Sequence, residues 1–429
     1  MRAKVAVVGL GLLAGGVGGC GDGGSGSDGP PPATLDFQVN ASTAGDQSRP
    51  AVVELVGGDI VIAWRSSPPD GGPSDVRARV LSADLARAGE ELVVSDPSSG
   101  AGILRGPAPL ADGGFLVTWW IAGTQRDLAR RYGADGSPVG EPYEIDGGLG
   151  DASAISGDGR VIVAEELACP VDSPGGVEWF GCVRVRRTLP DGTLDDSGFA
   201  VSDPNYNYLG YFVDQERPSA AANIGGEFVV VWSEEDWYYG HHGNYEHWIY
   251  ARRFNPDASM ATAPVRAAGS GYLRVPSAVE INDGGDFVVV TEYCSNEYES
   301  YDRGCFYRGI GGSRTTKDGD HAPFNVVGKV GYVDPGQDDA APAAGLNAAG
   351  EFVVVWERTS SESGESDIMA RLFEPTAVAS GVGYRVNADA PGQRCCADAV
   401  RLAGGDVVVV WQSEGEDGDG AGIFAKRLP

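Results

Sequence analysis

The side chains with the most chemical potential crowd into one stretch. SEEDWYYGHHGNYEHWIY, residues 233–250, follows PNYNYLGYFVDQERP, residues 204–218. It holds three of the four histidines, His241, His242 and His247, among Trp237, Tyr238, Tyr239, Tyr245 and Trp248. Exposed aromatic rings among carboxylates stack on sugar rings or anchor a protein partner, because they offer large rigid faces. His241 or His242, with His247 and Glu234 or Asp236, would instead present imidazole and carboxylate ligands to zinc or copper. The spacing matches no established ligand motif such as HExxH, so that reading has only composition behind it. A third reading is a self-packed loop that shields a strand edge.

Carboxylates offer a different chemistry. Asp214, Glu216, Glu234 and Asp339 are candidates for glycan hydrolysis or a lyase reaction. Two carboxyls would have to stand about 5.5 Å apart, or roughly 6.5–9.5 Å, in a cleft. With 61 acidic residues in 429, closeness in sequence selects none of them. Glu414 to Gly420, EGEDGDG, hints at Ca2+ but lacks the EF-hand spacing and its closing Glu, and a solvated acidic turn accounts for it equally. No nucleophile–base constellation stands out. The sequence therefore favours binding over catalysis.

Of seven cysteines, Cys169 and Cys182 flank one long loop, and Cys294 and Cys305 flank the equivalent loop two repeats on. In an exported chain these pairs read as two local disulfides, Cys169–Cys182 and Cys294–Cys305. Cys395-Cys396 are adjacent, and a vicinal disulfide is expected there. Neither loop pair has the CxxC-like spacing of a zinc site.

Composition bounds the partners and the fold. Lys+Arg 32 against Asp+Glu 61 gives a formal charge of −29, which would repel nucleic acid. Gly 65 and Pro 26 disfavour a helical bundle, while 42% apolar residues suffice for a large core.

The N-terminus reads as an address. Arg2 and Lys4 precede the apolar run Val5 to Val17, too short for a bilayer span of about 20 residues. The run ends in Val17-Gly18-Gly19-Cys20, which resembles the lipobox of bacterial lipoproteins. The resemblance implies that residues 1–19 are a signal peptide, that Cys20 carries lipid, and that Gly21 after it sorts the chain to the outer membrane. Residues 20–33 then form a lipidated flexible tether rich in Gly, Ser and Pro. Membrane contact is expected through that lipid only.

Internal repeats decide the fold. An aliphatic run ending in Trp recurs as DIVIAW (59–64), FLVTW (115–119), FVVVW (228–232 and 352–356) and VVVVW (407–411). Weaker copies are RVIVA (160–164) and FVVVT (287–291). A small-residue segment and a Gly turn precede each copy; a loop, a basic strand such as IYARRF and a short fourth strand follow. Seven four-stranded units predict an all-β, seven-bladed β-propeller over 34–429. The blades are expected at 48–96, 103–147, 151–203, 216–268, 274–328, 339–389 and 394–429, the last completed by 34–41. The last repeat lacks its fourth strand, and DFQVN at 36–40 supplies it, closing the ring and hiding the sheet edge. The five Trp residues read as core. Arg79, Arg130, Arg186, Arg252, Arg308, Arg371 and Lys426 read as one structural ring, paired with acids that open the second strands, such as Asp59, Glu227 and Asp406.

The phrase GGFVVVW, then IYARRF, then a strand ending in VN, resembles repeats of large exported bacterial proteins and adhesins, a group that brings no activity with it. The expectation is a monomeric, lipid-anchored binding or scaffold propeller, holding a glycan or protein on its long-loop face. The alternative is an extracellular glycan hydrolase or lyase with carboxylates near the channel.

Overall fold

The computed structural model describes residues 36–429, apart from 97, 99–101, 125, 151, 174–175, 196–197, 202–212, 237–245, 272, 296–306, 328–336 and 389–391. The described strands form seven four-stranded antiparallel sheets. In the fourth, Val213–Ala222, Phe228–Asp236, Glu246–Phe254 and Val265–Gly271 pair in chain order. The seventh combines Arg394–Arg401, Val407–Glu414 and Ala421–Leu428 with Phe37–Gln38 from the other end of the chain. Phe37 lies opposite Ala425 and Gln38 opposite Phe424. The chain is a seven-bladed β-propeller closed by its N-terminal strand.

The second strands are apolar on both faces because each is covered twice. Phe228, Val230 and Trp232 pack on Ile162, Val183 and Val185 of the third blade, while Val229 and Val231 meet Val279 and Val289 of the fifth. Seven such clusters fill the seven interfaces between blades. One of them joins Val408 and Val410 of the last blade to Val39, Ile62 and Trp64 at the start of the chain. Trp64, Trp119, Trp232, Trp356 and Trp411 are all buried within them.

The basic ring is structural, with partners other than the expected acids. Arg186 donates to the carbonyls of Asp146, Gly147 and Gly148, Arg252 to that of Val201, and Arg371 to those of Asn325 and Val326. Each guanidinium thus clasps the outer edge of the preceding blade. Three acids opening the second strands pair one residue further on, Glu227 with Arg253, Asp286 with Arg314 and Asp406 with Arg427, whereas Asp59 meets Arg87 and Glu351 meets Arg401 of the next blade. Arg308 is not in the ring: it lies opposite Cys294, and Ser313, opposite Val289, holds the ring register in the fifth blade. The third repeat is likewise one residue out. Val161 opens its strand, so Glu165 occupies the place of the Trp and meets Arg186 at 3.5 Å.

The first and last described strands are fastened to each other at the closing blade. Lys426 Nζ lies 3.0 Å from Asp36 Oδ1, both side chains almost fully buried, and also donates to the Val386 carbonyl at 2.9 Å. Asp36 Oδ2 accepts from the Ala388 amide at 2.8 Å. Asn40 Oδ1 accepts from Ile423 N at 2.8 Å, and the Val39 carbonyl accepts from Arg79 of the first blade at 2.8 Å.

Candidate functional site

The two faces of the ring are built differently. On one, seven five-residue turns are closed by the same backbone bond, Leu55→Asp59, Leu110→Gly114, Ser156→Arg160, Asn223→Glu227, Asn282→Asp286, Asn347→Glu351 and Leu402→Asp406. Asn223, Asn282 and Asn347 each donate from Nδ2 to a carbonyl of the next blade's turn, at 3.0 to 3.4 Å. The opposite face carries connections of unequal length. Its longest described hairpin pairs Val161–Ser173 with Gly176–Arg187.

The disulfide expected between Cys169 and Cys182 staples that hairpin. Closing a loop of this size contributes about 3 kcal/mol in the chain-entropy account, less where strand pairing already restrains it. Replacing both cysteines by Ala is expected to lower unfolding free energy by about 1–3 kcal/mol in denaturant titration without changing the far-ultraviolet spectrum. An unchanged midpoint would show that the strand pairing alone holds the hairpin. The Cys294–Cys305 pair falls outside the described residues at Cys305.

Of the aromatic group, Trp237, Tyr238, Tyr239 and Tyr245 lie outside the described residues, as do His241 and His242. Trp248 stands on the third strand of the fourth blade opposite Glu234, with the Arg266 guanidinium 3.3 Å above its ring. That stacking occupies one ring face. His247 pairs by its backbone with Glu235. Glu234 is buried, and its Oε1 accepts from Trp232 Nε1 at 2.9 Å and from Gln215 Nε2 at 3.3 Å. Asp339 does the equivalent work in the sixth blade, accepting from Trp356 Nε1 and from Arg358 Nε, each at 2.7 Å. Gln47 accepts from Trp64 Nε1 at 3.0 Å. These side chains exist to satisfy a buried indole N–H. Glu216 lies 3.9 Å from the Arg217 guanidinium, and the Asp214 side chain lies outside the described set. In the Glu414–Gly420 turn, Asp417 accepts from Asn40, Asp419 from the Gly45 amide and Glu416 from Ser413. Its carboxylates thus fasten the acidic turn to the protein.

The innermost strands carry a repeated device that sequence reading missed. Each of four has a β-bulge whose central residue is left-handed: Arg49 at φ 53°, Arg217 at 50°, Ala341 at 49° and Cys396 at 60°. The amide of that residue donates to a side chain one blade back: Gln412, Glu166, Glu292 and Glu357 respectively. Each acceptor directly follows the position that the recurring Trp holds in its strand. The bulge is thereby a staple between neighbouring blades at the long-loop mouth of the channel. In the last blade it holds Cys395 and Cys396, two half-buried thiols with sulfurs 2.8 Å apart. That spacing brings together the two sulfurs of the expected vicinal pair.

Below the bulges, the first strands line an axial cavity of about 740 Å3 that extends to the Gly turns. Four carboxyls line it among mostly aliphatic residues: Glu54, which accepts from the Ala403 amide, Asp283, which accepts from the Ile224 amide, and Asp398 and Glu280. Asp398 accepts from the Val52 amide of the first blade at 2.9 Å and from the Ala399 amide at 2.9 Å, and burial pushes its pKa up to about 6. Glu280 accepts no hydrogen bond from the described residues. Its side chain keeps some surface open to the cavity, yet it is crowded by protein atoms, and that desolvation, reinforced by the Asp398 charge, pushes its pKa up to about 8. Both acids thus hold their protons to higher pH than free carboxyls do, Glu280 more strongly than Asp398. Gly345 lets the sixth and seventh blades close on this wall, since a Cβ there would stand 2.7 Å from both the Ala399 carbonyl oxygen and the Arg401 nitrogen.

Aligning the repeats by strand register would have found both acids. Glu280 stands in a column with Val53, Ala221, Gly345 and Val400, and Asp398 in one with Ala51, Ser219, Ala278 and Ala343.

No family model matches this sequence, and no curated protein does. Among solved structures, a protein of unknown function from Dyadobacter fermentans aligns over 92% of this chain and 97% of its own at 14% identity and TM-score 0.45. An alpha-L-arabinanase of Penicillium chrysogenum in complex with arabinobiose aligns over 92% and 98% at 12% identity and TM-score 0.44. An acylaminoacyl peptidase of Pyrococcus horikoshii aligns over 92% of this chain and 54% of its own at 9% identity and TM-score 0.47. Likenesses this distant carry nothing about ligand or activity.

Proposed function

We propose that this chain is a binding propeller of the bacterial cell envelope, tethered to the outer membrane by lipid on Cys20, that holds a glycan or a protein on its long-loop face as a monomer. The observation behind the reading is the asymmetry of the faces. Seven turns of one construction close the Gly-turn side, whereas the other varies from blade to blade on a rigid ring, and variation on a rigid frame is where recognition concentrates. In the sequence the aromatic-rich stretch joins Phe228–Asp236 to Glu246–Phe254, the second and third strands of the fourth blade.

The test is an array of envelope and host polysaccharides probed with the chain from Thr34, which contains every described strand. A matched variant carries Trp237→Ala, Tyr239→Ala and Trp248→Ala. Retention of a glycan by the first, weakened at least tenfold in the second, supports the reading. Equal retention by both would remove the aromatic stretch from the account, and no retention by either would remove the glycan and leave a protein ligand.

One observation favours a second reading. On the channel wall burial raises the pKa of Glu280 further than that of Asp398, and carboxyls whose environments hold their pKa values apart are what acid–base cleavage of a glycan draws on. In that reading the substrate enters the axial cavity, and Glu280→Gln abolishes turnover while leaving retention on the long-loop face intact.

A further inference from the structure

The cysteine pair at the channel mouth is not required by the fold. Its bulge is the same device that other blades build with Ser48-Arg49, Glu216-Arg217 and Ala340-Ala341. The inter-blade staple uses only the backbone amide at the second position, so any residue tolerating a left-handed φ serves there. Two adjacent thiols at that point are surplus to architecture.

What they add is a donor set. The sulfurs of Cys395 and Cys396 and a carboxylate oxygen of Glu357 all lie within 4.8 Å of one another, and among the described residues no other group of three such side chains converges in this way. All three are half-buried at the mouth, so the set is held by the fold yet open to solvent on one side. Glu357 is anchored through Oε1 by the Cys396 amide, which leaves Oε2 for a ligand. Two thiolates and one carboxylate form a soft-to-borderline set that suits a d10 cation and disfavours magnesium or calcium, whose preference is for oxygen alone. The surplus of acidic residues favours a cation electrostatically.

We propose that Cys395, Cys396 and Glu357 form a binding site for one thiophilic divalent cation of the zinc–cadmium class, with a fourth coordination position open toward the long-loop face. Binding displaces one proton from each thiol to solvent, so two protons leave as one dication arrives, and affinity rises with pH. Oxidation of the pair to a vicinal disulfide by a thiol–disulfide exchange partner removes two protons and two electrons and closes the site. This inference is independent of the ligand assigned to the long-loop face.

The test titrates Cd2+ into the chain from Thr34, reduced under anaerobic conditions and freed of reductant, while following the ultraviolet thiolate-to-cadmium charge-transfer band. Wild type is expected to bind one equivalent with that band, and bound Cd2+ is expected to shield two thiols from an alkylating reagent. The Cys395→Ala/Cys396→Ala variant, which copies the Ala340-Ala341 bulge of the sixth blade and so retains the fold, is expected to lose both signals. Glu357→Gln is expected to keep the band and weaken binding about tenfold or more, in the range for loss of a supporting ligand. A reduced wild type with two reactive thiols and no band overturns the proposal, as does a band that persists unchanged in the double-Ala variant.

Discussion

Removing residues 34–41 is expected to open the ring and abolish cooperative folding at 37 °C. The segment supplies the fourth strand of the last blade, the core residue Val39 and the Asp36 carboxylate that meets Lys426 in a nearly dry contact. Breaking a buried ion pair by deleting one partner alone costs about 3–5 kcal/mol, and the domain as a whole is stable by roughly 5–15 kcal/mol. Deletion also bares the edge of Ala421–Leu428, an apolar strand that would recruit another chain. The truncated chain should therefore appear in the aggregated fraction by size-exclusion chromatography. Asp36→Ala isolates the latch. It should lower the thermal midpoint by several degrees while leaving the strand paired, because Val39 and Asn40 keep their backbone and side-chain bonds to Ile423. Appending residues 34–41 after Pro429 through a short turn should restore the truncated chain. If the deletion variant melts like the parent, closure by this strand is not what holds the ring.

The second large effect is a pH dependence that one residue controls. The Glu280 carboxyl binds its proton more tightly folded, at about 8, than at its ordinary value of 4.5. Between those values the native state holds more protons than the unfolded one, so stability falls as pH rises through the window. Below 4.5 the contribution is fully present; above 8 it has been lost. Asp398 adds a smaller loss of the same sign between 3.8 and about 6. Glu280→Gln keeps the shape and removes the charge. Its midpoint should match wild type near pH 4.5 and exceed it at pH 8.5 by several degrees, on the order of a few kcal/mol. Asp398→Asn should give less, since the Asp398 shift is smaller and Asn has one acceptor where the carboxylate takes the amides of both Val52 and Ala399. Parallel melting curves for wild type and Glu280→Gln across this range would show that Glu280 is better hydrated than its surroundings imply.

The architecture was legible because propeller physics writes itself into composition. A strand covered on both faces must be apolar throughout, so DIVIAW and FVVVW announce second strands, and a repeat split between the termini announces closure. DFQVN at 36–40 contains the strand that pairs with Ala421–Leu428. Legibility failed where register, not composition, decides. Arg308 looks like its counterparts in other blades, yet the irregular fifth blade offsets it and puts Ser313 in the ring. The pairing of the ring with carbonyls of the neighbouring blade left no mark in sequence, because a backbone acceptor has no residue type. For the same reason the roles of Glu234 and Asp339 were invisible: a carboxylate beneath an indole N–H reads like any surface acid. The channel acids were legible in principle, since each interrupts a column of small or aliphatic residues, but only once bulges had aligned the strands.

The most direct measurement of the account is the fate of a retained ligand. The chain from Thr34 would be incubated to equilibrium with the glycan it captures most strongly, the bound material recovered, and its mass compared with the input. The binding reading predicts saturable retention and recovery of the glycan intact, with retention lost in the Trp237, Tyr239 and Trp248 variant and unaffected by Glu280→Gln. Recovery of shortened or unsaturated products, suppressed by Glu280→Gln, would contradict it and make the axial cavity an active site.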